Sequence, residues 1–474
     1  MTLSIFFLLQ LLQPASVQTE AAQKPSVAAA AEQPASVQTE VAQEPSVAAA
    51  AEQPASVQTE AAQEPSVAAE AEQPASVQTE AAQEPSVSAA AEQAASLPPP
   101  SPAPAPSAEA AYLRFKLGNG LRVSTQDNAL SLRARLMAQL RNSTAFSDKA
   151  SKSSNEFSAR AIRIMLEGRA FDQRLVVYLQ TGISPDEFDQ GSGLLDAWVS
   201  WKFGRDATLR VGQQRIIYDM ACAFVRTGYL GITRENVASE FGIVREIGAV
   251  LFSDDFLGLN ELLAYRLGIY GGQGRNRFAL KHTGFLYMGR LTLRPFGYFE
   301  DTLEGDLERL DKPRLAIGIS AAYSDNITRT GASTGTVFDS TAFPNMDALY
   351  LNADALLKWK GFYIAAQYSR RTTSKDFVSN GTTQIWGRSG HGYLVKASAM
   401  LSNELELGGR WSQQFGIGQT DPSLLAELKN EFALAMNYHF FGHALRLQAE
   451  YAARFTDPKQ LYQHGLRLQL QAVF

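Results

Sequence analysis

Long apolar runs are missing from this chain. After residue 12 no segment reaches the ~18–20 consecutive apolar residues that a membrane-spanning helix needs, which excludes helical spans. Cysteine is nearly absent too. With Cys222 alone, an intrachain disulfide and a thiolate metal cluster are both excluded. The five histidines are scattered. His439 and His443, in "HFFGH", have an i,i+4 spacing, but it falls across an expected turn, where helical ligand geometry does not apply. No G-x-S-x-G elbow occurs. "GGQG" at 271–274 precedes no helical pattern, so it reads as a turn rather than a dinucleotide fingerprint. The residues therefore nominate no catalytic group, cofactor, metal or nucleic-acid partner, and the expectation is a protein that is not an enzyme. Cys222 reads as a small buried apolar residue.

Basic residues are missing from one region only. Residues 1–110 hold a single Lys24 against thirteen glutamates, whereas residues 111–474 hold 42 Lys+Arg against 35 Asp+Glu. The two parts are electrically different objects, so the overall charge of −5 says little about partners. "LSIFFLLQLL" at 3–12 has the length of a signal-peptide core, and residues 1–16 read as an export signal, although no Lys or Arg precedes the run. From Gln13 a 20-residue unit, "QPASVQTEAAQKPSVAAAAE", is followed by three near-copies starting at Gln33, Gln53 and Gln73. Its paired prolines cut any helix into pieces too short to persist, and it has too few large apolar residues to offset the entropy of ordering. "LPPPSPAPAPS" continues as a stiff spacer. Residues 17–110 are predicted to be a disordered, acidic linker, placed in the periplasm if the chain is exported.

From residue 111 a period of two takes over. In "LSLRARLMAQLR" Leu130, Leu132, Ala134, Leu136, Ala138 and Leu140 share one face, and Arg133, Arg135 and Arg141 share the other. "PRLAIGISAAY", "LYLNADALLKW", "EFALAMNYHF", "HALRLQAEYAAR" and "HGLRLQLQAVF" repeat the alternation, and many apolar faces end in Tyr, Trp or Phe. A soluble sandwich would alternate as well. Three features favour a membrane barrel instead: strands of about 9–12 residues, aromatics at strand ends, and polar faces rich in arginine. About sixteen segments qualify, centred near residues 136, 162, 176, 198, 211, 247, 266, 291, 318, 353, 367, 397, 408, 434, 448 and 469. The predicted fold is all-β: a transmembrane antiparallel barrel of about 16 strands over residues 111–474, sited in a bacterial outer membrane and facing its lipid. The chain ends on the bare aromatic Phe474. After alternating residues, that matches the C-terminal signal read by barrel-assembly machinery.

Several stretches together resemble the phosphate-selective porin O and P family: "GNGLRVSTQDNALSLRARLMAQLR", "ARAIRIMLEGRAFDQRLVVYLQ", "LLDAWVSWKFGRDATLRVGQQR" and "LGIYGGQGRNRF". The resemblance implies a homotrimer of 16-stranded porins whose third loop folds inward, here about residues 215–236. The family's proline-containing stretch after "VGQ" is replaced by "VGQQRIIYDMACAF", so the constriction is expected to differ.

Strand parity points Arg133, Arg135, Arg141, Arg163, Arg210, Arg266, Arg290, Arg294, Arg314, Arg371, Arg410, Arg446, Arg454 and Arg467 inward, with Arg215, Arg226 and Arg234 in the expected constriction loop. Guanidinium groups stay charged and offer fixed N–H donors to phosphate or carboxylate oxygens. Such a lining suits a channel for small anions, phosphate or polyphosphate among them. Glu167, Asp196, Asp354, Glu404, Glu406 and Glu450 share the inward parity and oppose that field. Two other readings stay open: a general, weakly selective diffusion porin, and a structural envelope protein tethered through its repeats.

Overall fold

The computed structural model describes residues 112–147, 152–189, 191–277, 284–330, 337–418, 430–457 and 460–474. The expected leader, repeats and linker lie outside the described residues. Alternating apolar and polar residues give strands, and the strands close on themselves. In chain order they are β1 (Tyr112–Lys116), β2 (Gly120–Ser124), β3 (Ser131–Ser147), β4 (Lys152–Ala170), β5 (Leu175–Gly182), β6 (Leu194–Lys202) and β7 (Thr208–Arg215). Then follow β8 (Arg245–Ser253), β9 (Leu263–Tyr270), β10 (Leu286–Leu293), β11 (Arg314–Ser324), β12 (Ala348–Trp359) and β13 (Phe362–Thr373). After a small separate ribbon, β14 (Phe377–Ser379) with β15 (Gln384–Trp386), come β16 (Gly390–Met400), β17 (Leu405–Gly416), β18 (Asn430–Phe441), β19 (Leu445–Asp457) and β20 (Gln460–Val473).

Strands β3–β13 and β16–β20 form a closed antiparallel barrel of 16 strands, each paired with its chain neighbours. All sixteen expected strand centres fall within these strands. Closure is made by β20 on β3, from Val473 opposite Met137 to His464 opposite Phe146. Every strand thereby has two partners, as a wall surrounded by hydrocarbon requires. Phe474 ends the seam, exchanging backbone hydrogen bonds with Leu136 at 2.8 and 2.9 Å.

The alternation sets the two surfaces. In β12 Ala348, Tyr350, Asn352, Asp354, Leu356 and Lys358 are buried inside, while Leu349, Leu351 and Trp359 are exposed outside. The bulge opposite Gln139 adds Arg160 to β4 and leaves β3 regular, so Met137, Gln139 and Arg141 are all interior. The strands range from eight residues in β5, β7, β9 and β10 to nineteen in β4, a wider spread than expected.

Two features depart from the sequence reading. The "GNG" segment is not merely a turn into the first strand. It joins β1 to β2 in a hairpin whose second strand pairs with β3 at Ser131–Ala134, just where β20 stops. And the connection 294–313, for which the sequence reading named no role, is long and enters the barrel.

Candidate functional site

Between β7 and β8 residues 216–244 leave the far rim and fold into the lumen, a longer insertion than the expected 215–236. Two short helices stiffen it, Met220–Ala223 and Asn236–Phe241. The first is capped by the Asp219 side chain, which accepts a hydrogen bond from Cys222 N. Tyr218, Phe224, Val237 and Ala238 are fully buried against the wall. Cys222 is buried as well, and burial pushes its thiol well up from its ordinary value, so it stays neutral and unreactive.

The wall from β10 round to β20 grips this loop through its backbone. Arg290 makes a two-pronged bond to Asp354 at 2.8 Å and donates to Tyr218 O at 3.1 Å, and Asp354 accepts from Met220 N. Arg410 pairs with Glu431 and Glu450, both at 2.9 Å, and donates to Thr233 O at 3.0 Å. Glu450 in turn accepts from Ile232 N at 2.8 Å and Thr233 Oγ1 at 2.6 Å. Arg371 and Arg388 hold Glu240 at 2.6 and 2.9 Å. Asn437 and Gln471 donate to Leu230 O and Thr227 O.

The second insertion, 294–313, rises from the opposite rim and meets the loop. Their backbones pair: Val225 N donates to Thr302 O at 3.0 Å and Glu304 N to Gly228 O at 2.9 Å. Gly228 permits this approach, since a Cβ there would lie 2.4 Å from Leu303 Cδ2. Lys396, interior on β16, sits between Glu235 of the loop and Glu304 of the insertion and forms an ion pair with each. Burial works to raise the Glu235 carboxyl, but Lys396 and then Arg410 outweigh it and hold it down to about 2. Glu304 is pushed up by burial, with Lys396 opposing. Of the two carboxylates sharing one ammonium, Glu235 is thus the one held charged.

The seventeen arginines singled out above fall into three groups. Most are tied up. Arg290, Arg371 and Arg410 are paired as described, Arg133 faces Glu167, and Arg163 and Arg226 share Glu187. Arg266 pairs with Asp254, Arg294 with Asp301, and Arg467 approaches Glu450 at 3.7 Å. Arg141 and Arg234 serve carbonyl or amide oxygens, at Gln469 and Ala221 respectively. A second group sits at the rims: Arg314 donates to Phe296 O, and Arg454 reaches Glu431 while 41% exposed. Arg135, Arg210 and Arg215 form the third group, making no ion pair among the described residues; Arg446 shares this trait but is sealed at the foot of β19, beside His443. Two positions need correction. Arg215 is the last residue of β7 rather than part of the loop, because pairing with Arg245 carries the strand one step further. Glu404 lies exposed in the turn before β17 and does not point inward, because its strand starts only at Leu405.

Arg135, Arg163, Arg210, Arg215 and Arg226 line a single cavity of about 660 Å³ between the inserted loop and the wall from β3 to β7. It reaches the rim formed by the Gly118 turn and the segment around His443. Asp196 and Glu300 are the acidic residues that line it, and Asp196 is already bound by Arg245 at 3.0 and 3.1 Å. Burial first, then Arg163 and Arg160, push the Arg226 guanidinium down to about 9, with Glu187 opposing. Arg210 packs against two rings, its Cζ 4.0 Å from the Trp198 ring centroid and 5.0 Å from that of Phe252. Sequence reasoning missed Trp198, although it shares inward parity with Asp196 and Ser200 and so was an aromatic on a polar face. Lys396, interior by the same rule in "GYLVKASAM", was also missed.

No family model and no curated protein matches the chain. Solved structures do. The chain is similar to Salmonella typhi OmpF in complex with daunomycin, at 14% identity and a TM-score of 0.50, covering 73% of this chain and 99% of that one. It is also similar to an anion-selective porin from Comamonas acidovorans, at 12% identity and a TM-score of 0.48 over 73% and 100%. A third is the outer membrane channel DcaP of Acinetobacter baumannii, at 10% identity and a TM-score of 0.47 over 74% and 99%. At such identities the likeness is one of fold, and the resemblance to the phosphate-selective porin O and P family narrows here to a porin-type barrel.

Proposed function

We propose that this chain is an outer-membrane diffusion channel that prefers small anions. The observation that carries the reading is the cavity beside β3–β7, where Arg135, Arg210 and Arg215 lack ion-pair partners among the described residues. Arginine left without a carboxylate in a partly enclosed, low-dielectric space attracts mobile anions strongly. The exposed apolar outer face and a closed wall suit lipid, delivery by barrel-assembly machinery through the Phe474 end, and assembly as a homotrimer. Phosphate would be one of several permeant anions.

The test is the reversal potential of the refolded full chain in a planar bilayer under a KCl gradient. Chloride-ward reversal is expected. A near-zero or potassium-ward value would leave a general porin. The two insertions that fill the β10–β20 side favour a second reading, a barrel serving the envelope structurally. Absence of conductance from correctly folded protein would bring that reading forward.

A further inference from the structure

We propose that the arginine cavity selects organic anions that carry an apolar, flat body, such as an aromatic carboxylate, over inorganic phosphate. The inference rests on the anion-channel reading and names the solute class of that same site.

The cavity is two-faced. Its guanidinium groups share the space with Met137, Met165, Tyr178 and Trp198 on the wall and with Ile217 and Val225 on the inserted loop. Met137 and Met165 belong to one buried apolar cluster, with Tyr178 packed against it. Tyr178 and Trp198 stack at 5.2 Å, and the Arg210 guanidinium carbon lies 4.0 Å from the Trp198 ring centroid. With Trp198 and Phe252 both packed close to Arg210, its N–H groups are what remains for a ligand. Its Nε is buried and has no hydrogen-bond partner. A planar donor edge held at fixed orientation matches a carboxylate.

Inorganic phosphate is small and hydrated on all sides. To be held in preference to chloride it needs donors converging from several directions. Here donors come with sulfur and aromatic carbon beside them, and phosphate would gain nothing from that surface. A carboxylate on an aromatic ring gains at both ends: its oxygens meet guanidinium, and its ring removes Met and Trp surface from water. The volume of about 660 Å³ lies within the range of small-molecule sites.

The experiment uses the refolded full chain in planar bilayers in KCl. Benzoate, acetate and inorganic phosphate are added in turn, and the concentration that halves the chloride current is read. Benzoate is expected to block at about tenfold lower concentration than either of the others, the scale of one buried apolar group. Trp198→Ala and, separately, Met165→Gln are expected to shrink that gap to about twofold. If phosphate blocks as well as benzoate does, or if neither variant narrows the gap, the proposal is overturned. The reversal potential measured first separates the two levels. Potassium-ward reversal removes the anion-channel reading, whereas chloride-ward reversal with equal block removes this inference alone.

Discussion

On the β10–β20 side of the barrel nearly every interior charge touches its opposite. On the β3–β7 side three arginines touch none among the described residues. The residue types are the same, and so is the strand parity that turns them inward. What differs is what they face. On one side arginine and lysine meet carboxylates that also accept backbone N–H groups from the inserted loop, so the charges fasten the loop in place. On the other side the loop presents Ile217 and Val225 and, to Arg215, only the Phe224 carbonyl, while Arg210 keeps an unpartnered Nε–H. An interior arginine therefore says little by itself; its partner decides whether it fastens or attracts.

The largest effect should come from breaking the fastened side. Lys396→Met leaves Glu235 and Glu304 buried without their shared cation, and a broken buried pair costs about 3–5 kcal/mol. The melting temperature of the folded barrel, followed by heat-shift on gels, should fall, and conductance should rise as the insertions part. Glu304→Gln should do much less, because Lys396 keeps Glu235. Next in size is charge reversal in the cavity. Arg135→Glu should move the reversal potential toward potassium by more than Arg133→Glu does, since Arg133 already faces Glu167 at 2.5 Å.

Acid should act selectively on the fastened side. The Glu235 carboxyl, held down to about 2, contributes stability that is present above its ordinary value near 4.5 and is lost as pH falls toward 2. Conductance noise should thus stay level from pH 7 to about 5 and grow below that. The smallest effect is expected at the rim. Arg454→Ala removes a half-exposed pair while Glu431 keeps Arg410, so stability should change by no more than about 0.5 kcal/mol.

The barrel was legible because a period of two is a local signal. Each strand announces its two faces without reference to any other, which is why all sixteen centres could be placed from residues alone. Pairing is not local. Nothing in "LLDAWVSWK" says that Trp198 will lie over Arg210, and nothing in "LVKASAM" says that Lys396 will receive Glu235 and Glu304 from opposite rims. The insertion at 294–313 escaped for a related reason. "EDTLEGDLERLDKP" is acidic and short of apolar residues, which reads as a solvated connection. Glu304 and Asp306 are interior there because Lys396, Gly361 N and Leu230 N supply donors to them.

The hairpin at the chain's entry to the barrel also bears on how the cylinder finds its size. β2 occupies the first residues of β3, and the Gly118 turn donates to Val473 O at 2.9 Å, with φ at +83° and no room for a Cβ beside Ala444. The last strand to be made can therefore slide along β3 only until it meets this stop. A slip of two residues either way would open a gap or collide with the turn. In a cylinder the offset accumulated around the seam fixes both tilt and diameter. The hairpin thus works as a vernier: by setting where strand sixteen halts, it sets the bore.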